Sequence, residues 1–242
     1  MTKKLYVLDS YLKEFQGEVS TIEPAEKAII LDQSAFFPGG GGQPFDTGSI
    51  ATEASVFPIH KVKIRGNQIL HYTHKNLPNI GEKITGKIDW IRRYQLMRTH
   101  SAMHILCGVV WRDYQAKVTG GNMEPLKARM DFEFESFSAD LVKEIEIKIN
   151  AEVKKNLVVN IQILPRTEAF KIPDLIRTKI NLLPESLKEI RTIEIEGLDL
   201  QADGGTHVKH LSEVGAIRIT KHKSKGKINK RMEVELDPQS TI

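Results

Sequence analysis

From residue 90 to about residue 113 the chain carries Trp90, Tyr94, Met97, Ala102, Leu106, Val109 and Val110 at helical spacings that cover much of a helix's circumference. A helix apolar nearly all round has no face left for water, so this segment is predicted to be a largely buried helix. Asp89, immediately before it, can cap the first turn by accepting from amides that have no partner inside the helix. Two imidazoles, His100 and His104, lie on one side of it. Side chains four residues apart share a face with Cβ atoms about 5–6 Å apart, so both imidazoles leave water together. Buried polar groups need partners, and one metal ion at roughly 2.0–2.1 Å from each nitrogen would satisfy both.

A third imidazole, His207, lies in Gly204-Gly-Thr-His-Val208, just after an expected strand at 191–196. Asp203 sits four residues before His207, and the two glycines between them let the loop turn so that both side chains point one way. His-x-x-x-His spacing alone is common. The zinc-peptidase form would place Glu beside the first His, and position 101 is Ser, which disfavours that class. Cys107, three residues after His104, is too far from His100 to share an ion with it, about 10 Å along the helix axis. It reads as a small buried apolar residue. As the only cysteine it excludes an internal disulfide and fits a reducing compartment.

The character of the chain changes near residue 88. Before it, apolar or alternating runs at 4–8, 27–31, 55–64 and 68–74, separated by turn residues, predict a strand-rich small β-barrel. Ala35-Phe-Phe-Pro-Gly-Gly-Gly-Gly-Gln43 interrupts it. Four consecutive glycines permit positive φ and close backbone approach to another group; a mobile linker is the alternative, against which Phe36, Phe37 and Phe45 count. No Lys-Ser or Lys-Thr follows the run, so it is not a nucleotide phosphate loop, and a synthetase is excluded by the lack of any ATP-using motif. After residue 88 the pattern is α+β: helix 90–113, strand 128–134, helix 139–155, strand 158–164, an irregular stretch with Pro173 and Pro184, strand 191–196 and a terminal hairpin at 215–236. Two domains, 1–88 and 89–242, follow, each of ordinary size.

Hydrophobic content of 40% and charged content of 27% are those of a globular protein. No apolar run approaches the roughly 20 residues that span a bilayer, and the amino terminus lacks the apolar core of a secretory signal, so a cytoplasmic protein with no membrane partner is expected. The net charge of +4 and the pI of 9.0 allow a polyanionic partner. Lys221, Lys223, Lys225, Lys227, Lys230 and Arg231 crowd one stretch, and Arg92, Arg93 and Arg98 surround the start of the histidine helix. Both groups have solvated surface as their ordinary reading, and contact with nucleic acid as the alternative.

Taken together and in this order, FFPGGGGQPFDTG, DWIRRYQLMRTHSAMHIL and DGGTHV resemble the editing half of alanyl-tRNA synthetase and its free-standing relatives, the AlaX alanyl-tRNA editing proteins, most of all their medium-length class. The likeness covers nearly the whole chain. It implies an N-terminal β-barrel domain with a glycine-rich loop followed by an α+β editing domain of the alanyl/threonyl-tRNA synthetase type. It implies hydrolysis of mischarged tRNA(Ala), chiefly Ser-tRNA(Ala) with Gly-tRNA(Ala) as a further candidate, and one zinc ion per chain. Carried over residue by residue, the resemblance makes His100, His104 and His207 catalytic metal ligands and puts Asp203 where the family has cysteine. Asp203 is then either a ligand, making the ion a stronger Lewis acid held less tightly, or a group that orients a histidine. Ser34 occupies the slot of a family threonine. With Gly39, Gly40, Gly41, Gly42 and Gln43 it is expected to contact the aminoacyl end. The rival readings are a noncatalytic tRNA-binding protein with a structural zinc and a zinc hydrolase for another small ester. No oligomeric state is implied.

Overall fold

The computed structural model describes residues 1–178, 183–185 and 187–238, and the chain divides into two compact units, Met1–Gln95 and Leu96–Ile242. Each mixes sheet with few helices.

The first unit is built from nine strands: β1 (Lys3–Lys4), β2 (Glu14–Glu23), β3 (Ala28–Leu31), β4 (Gln33–Ser34), β5 (Gly48–Ala51), β6 (Val56–Ile59), β7 (Lys61–Arg65), β8 (Gln68–Tyr72) and β9 (Lys83–Ile88). Seven of them form one antiparallel sheet in the order β6-β5-β9-β2-β3-β8-β7, while β1 and β4 make a short parallel pair. Strand β2 joins the two halves. Its first part pairs with β9 and its second with β3, and the register shifts between Val19 and Thr21. Such a bulge increases local twist and coils the sheet around a core that includes Phe15, Val19, Leu31, Phe36, Ile50 and Ile69.

The small β-barrel expected here is not a closed one, because no ladder joins β6 to β7 among the described residues. Pro58 in β6 offers no amide, and β7 carries Lys61, Lys63 and Arg65, both features that blunt an edge. The strand expected at 4–8 is also replaced. Leu5–Val7 is a single 3₁₀ turn that buries Tyr6 edge-on against Phe37, with ring centroids 5.4 Å apart. Strand β2 gave no sequence signal because Glu14, Gln16, Gly17 and Glu18 dilute its alternation, leaving only Phe15 and Val19 buried.

Helix α1 (Trp90–Tyr114) carries the chain from the first unit into the second, and from Leu96 to Val110 every residue is buried. Asp89 caps it, its Oδ1 accepting from the Arg92 amide at 3.2 Å. The rest of the second unit is β10 (Val118–Glu124), β11 (Lys127–Glu133), α2 (Ala139–Lys154), β12 (Val159–Pro165), α3 (Arg166–Ala169), β13 (Glu189–Ile195), β14 (Asp199–Ala202), β15 (Ile217–Ser224) and β16 (Asn229–Leu236). They form two antiparallel sheets, β10-β11-β16-β15 and β12-β13-β14. Ser138 caps α2 by accepting from the Leu141 amide, and the helix buries Val142, Ile145, Ile149 and Val153. Strands β10 and β14 were not legible beforehand, the first because two glycines interrupt it. Of the irregular stretch, residues 179–182 and 186 lie outside the described residues. No helix among the described residues is long and apolar enough to cross a membrane.

Candidate metal centre

His100 and His104 project from one face of α1, with ring centroids 5.3 Å apart, and His207 comes in from the loop after β14 to lie 4.3 Å from His100 and 4.8 Å from His104. All three are buried. Asp203 completes the group: one donor atom from each of His100, His104, Asp203 and His207 lies within 4.8 Å of the others. Asp203 Oδ1 is 3.0 Å from His207 Nε2, and its Oδ2 is 3.4 Å from His100 Nε2. Ligands at the corners of a tetrahedron about 2.0–2.1 Å from its centre stand roughly 3.4 Å apart, so the two Asp203 separations suit one ion, around which the wider spread of the set, up to 4.8 Å, would draw in. Three imidazoles and a carboxylate are a donor set for a divalent transition metal. Cys107 is buried outside this group, where burial pushes its thiol well up and away from thiolate chemistry.

The loop is held in place by its own sequence. Asp203 Oδ1 accepts from the Gly205 amide at 2.6 Å, a turn that aims the carboxylate inward, while Arg191 Nη1 donates to the Asp203 carbonyl. Ser101 occupies the position that disfavoured a peptidase and here does something else. Its Oγ accepts from the Val208 amide at 3.2 Å and lies 3.4 Å from His207 Nδ1, fastening the DGGTH loop to α1.

Behind His104 stands a residue that sequence reasoning missed. Asp199 Oδ2 accepts from His104 Nδ1 at 2.8 Å, which turns the Nε2 lone pair toward the other donors. The same oxygen accepts from Gln201 Nε2 at 2.7 Å. Gly108, one turn beyond His104, permits this approach. A Cβ there would stand 2.9 Å from Leu198 Cγ and from the Leu198 carbonyl oxygen, closer than packed atoms come. The available signal was the two-residue alternation of Asp199, Gln201 and Asp203 leading into the loop.

Burial and the neighbouring groups together set the protonation of the cluster. It drives the His207 imidazole well below its ordinary value, and the nearby charge of His100 adds to this. For Asp203 burial acts upward, but the charge and hydrogen bonds of His100 and His207 outweigh it and hold the carboxyl well below its usual range. For His104 burial acts downward and is outweighed by Asp199, so its value rises. A neutral imidazole and an ionised carboxylate are the forms in which these groups bind metal.

The other expected site residues lie in the first unit. Gly39, Gly40, Gly41 and Gly42 all have positive φ, from 58° to 141°, a path that side chains would strain. Gly40, Gly41 and Gly42 are exposed, and Gly40 exchanges two backbone hydrogen bonds with Gln43, which is buried. The run is not a linker, since Ala35, Phe36, Phe37 and Pro38 before it are buried. Ser34 is buried too. His71 Nδ1 lies 3.0 Å from the Ile29 carbonyl, which can only accept, so Nδ1 carries the proton and Nε2 is an acceptor. Burial holds the His71 imidazole down at about 4, hence neutral. The Ser34 hydroxyl, 2.8 Å from His71 Nε2, therefore donates there while accepting from the Phe36 amide at 3.1 Å. Any further partner of Ser34 must itself be a donor.

Two of the arginines expected at the surface are not there. Arg93 is fully buried against Asp46, and Arg98 gives hydrogen bonds to the carbonyls of Val214 and Asp237. Arg92 remains partly exposed and bonds the Phe45 carbonyl.

Comparison with known proteins returns two family matches. Residues 3–92 match the family described as tRNA synthetases class II (A), and residues 190–233 match the threonyl and alanyl tRNA synthetase second additional domain. The chain is 41% identical over 241 residues to the alanyl-tRNA editing protein AlaX-M of Saccharolobus solfataricus, covering 98% of this chain and all of that protein. It is 36% identical over 238 residues to the AlaX-M protein of Methanosarcina barkeri, covering 96% of this chain and 98% of that one. It is also 36% identical over 222 residues to the alanine–tRNA ligase of Pyrococcus furiosus, covering 90% of this chain but 24% of the ligase.

Proposed function

Because the chain belongs to the AlaX-M family of alanyl-tRNA editing proteins, we propose that it hydrolyses tRNA(Ala) charged with the wrong amino acid, in the cytoplasm, with one zinc ion per chain held by His100, His104, Asp203 and His207. The observation that carries this reading is the convergence of those four buried or partly buried donors within 4.8 Å of one another. Zinc bound there supplies positive charge that can polarise an ester carbonyl or lower the pKa of water toward about 7. The ester joining an amino acid to the terminal ribose is labile, so placement accounts for much of the task.

The chain's own residues divide that task. Asp199 fixes the ring of His104, Ser101 fixes the loop that bears His207, and Asp203 stands as an oxygen ligand in the slot where the resemblance implies cysteine. Ser34, with its proton committed to His71, reads a substrate hydroxyl that donates to it. A seryl group can add that hydrogen bond and an alanyl group cannot, so the extra contact is made only with the mischarged amino acid. In this reading the glycine run Gly39 to Gly42, held by the turn onto Gln43, contacts the aminoacyl end through the backbone amides that the turn leaves unused. Serine is the chief substrate, recognised through its hydroxyl, and glycine is a second candidate that this contact does not select.

The test is hydrolysis of Ser-tRNA(Ala) beside Ala-tRNA(Ala), with zinc-loaded protein, after chelation, and after zinc is restored. Zinc-dependent loss of serine with alanine retained is expected. Binding of tRNA without hydrolysis under every condition would overturn the reading and leave a tRNA-binding protein with a structural zinc. Titration of zinc into an Asp203→Ala protein should show an affinity at least ~10-fold weaker; an unchanged affinity removes Asp203 from the ligands.

A further inference from the structure

From residue 217 to residue 231 the chain carries seven lysine and arginine side chains and no acid. The structure folds this segment into β15, the turn that follows it and the start of β16. Residues 221–228 are all exposed. Of the cations beyond them, Arg231 is half-buried and Lys230 buried. Its ammonium donates to Ser224 Oγ at 2.7 Å, to the Gly226 carbonyl at 3.0 Å and to the Lys227 carbonyl at 2.9 Å, so all three of its donors close the turn from inside. Outside contacts hold the same tip against β10 and the residue that follows β11: Thr119 Oγ1 donates to Asn229 Oδ1, and the Phe134 amide donates to the Ile228 carbonyl. The tip is thus a fixed knuckle.

The remaining cations outnumber the acids that reach them. Asp131 is the nearest carboxylate, and Arg231 already takes both its oxygens, at 2.6 and 2.8 Å, leaving Lys225 at 3.5 Å. Lys221 lies 4.0 Å from Glu233. Lys223 and Lys227 make no ion pair among the described residues. Lys221 and Lys223 project from one face of β15, about 6.6 Å apart along the strand, a spacing that lets neighbouring ammonium groups take neighbouring phosphates.

We propose that this knuckle grips the phosphate backbone of a base-paired RNA stem through Lys221, Lys223, Lys225 and Lys227. The proposal rests on the tRNA reading above and adds where the stem is held. A rigid, wholly cationic tip suits a polyanion because no ordering of the loop opposes binding. A membrane surface would call for apolar side chains beside the lysines, and Ile228 is the only exposed large apolar residue of the segment. Lysines meeting phosphates read charge and shape, so the grip orients the stem without choosing its sequence.

The experiment uses zinc-loaded full-length protein and a variant with Lys221→Ala, Lys223→Ala, Lys225→Ala and Lys227→Ala. Binding of uncharged tRNA(Ala), of an RNA hairpin of unrelated sequence and of phosphatidylserine vesicles is measured against salt. Zinc content and circular dichroism check that the variant is folded, and a fourfold Lys→Arg variant keeps the charge. The Kd for tRNA(Ala) is expected to rise on the order of 100-fold at about 0.1 M salt, with the slope of log K against log salt smaller by about 3, and the unrelated hairpin to lose as much. The arginine variant should retain both. Unchanged affinity and slope overturn the proposal, and so does loss of vesicle binding with tRNA binding intact. Hairpin-dependent tRNA binding without any deacylation leaves the grip standing and defeats the hydrolytic reading; deacylation with an unchanged KM in the alanine variant does the reverse.

Discussion

The two units each bury a polar cluster, and the clusters differ in kind. In the first, donors meet acceptors: Arg93 gives Nε to Asp46, Nη1 to the Ser10 carbonyl and Nη2 to the Ala35 carbonyl and to Asp46, and Asp46 Oδ2 also accepts from the Phe37 amide. Ser34 and His71 close a second such account. In the second unit, three imidazoles and a carboxylate bring four groups of one character, possible metal donors, within 4.8 Å of one another. Complementary clusters complete a fold by tying distant segments together, here the glycine-rich loop to α1. A cluster of like groups is stabilised by a cation or a proton among them, and its burial makes sense as a binding site.

Breaking the complementary cluster should have the largest effect. Arg93→Ala leaves Asp46 buried without its counter-charge and is expected to cost about 3–5 kcal/mol, read as a shift of the denaturation midpoint. A loss under about 1 kcal/mol would show that the pair does not hold the loop. The His71 half of the contrast appears in pH dependence. Its imidazole titrates at about 4 when folded against an ordinary 6.5, so the unfolded chain takes up the extra proton first. Stability from this group is complete above about pH 7 and falls as pH drops toward 4, by on the order of 3 kcal/mol. His71→Gln should flatten that part of the curve; an unaltered slope would mean that other groups produce it. The smallest effect tests the second cluster's support. Asp199→Asn removes the charge that orients His104 and should weaken zinc binding about 10- to 100-fold in competition with a chelator, with little change in unfolding. Equal affinity would reduce Asp199 to packing.

Much of this was legible before any coordinates. The periodicity at 90–113 marked a buried helix, and the structure has every residue from Leu96 to Val110 buried. The spacing of His100 with His104 and of Asp203 with His207 marked the donors, because turns of helix and tight loops are local geometry. The arginines were read less well. Arg93 and Arg98 sit in a charged run that looks solvated, yet each is buried by acceptors remote in sequence, Ser10, Ala35 and Asp46 for one, Val214 and Asp237 for the other. Asp199 was overlooked for the same reason, since its partner is 95 positions away.

Spacing along the chain is enough to specify helix α1, the turn at Gly204 and Gly205, and the residue types able to bind a metal, because each depends on dihedral preferences and side-chain direction within a few residues. Whether the sheet of the first unit closes, which charges are buried, and which carboxylate stands behind His104 depend on pairings between segments far apart. Those are settled by the balance of desolvation against hydrogen bonding in the packed chain, and that balance exists only once the segments have met.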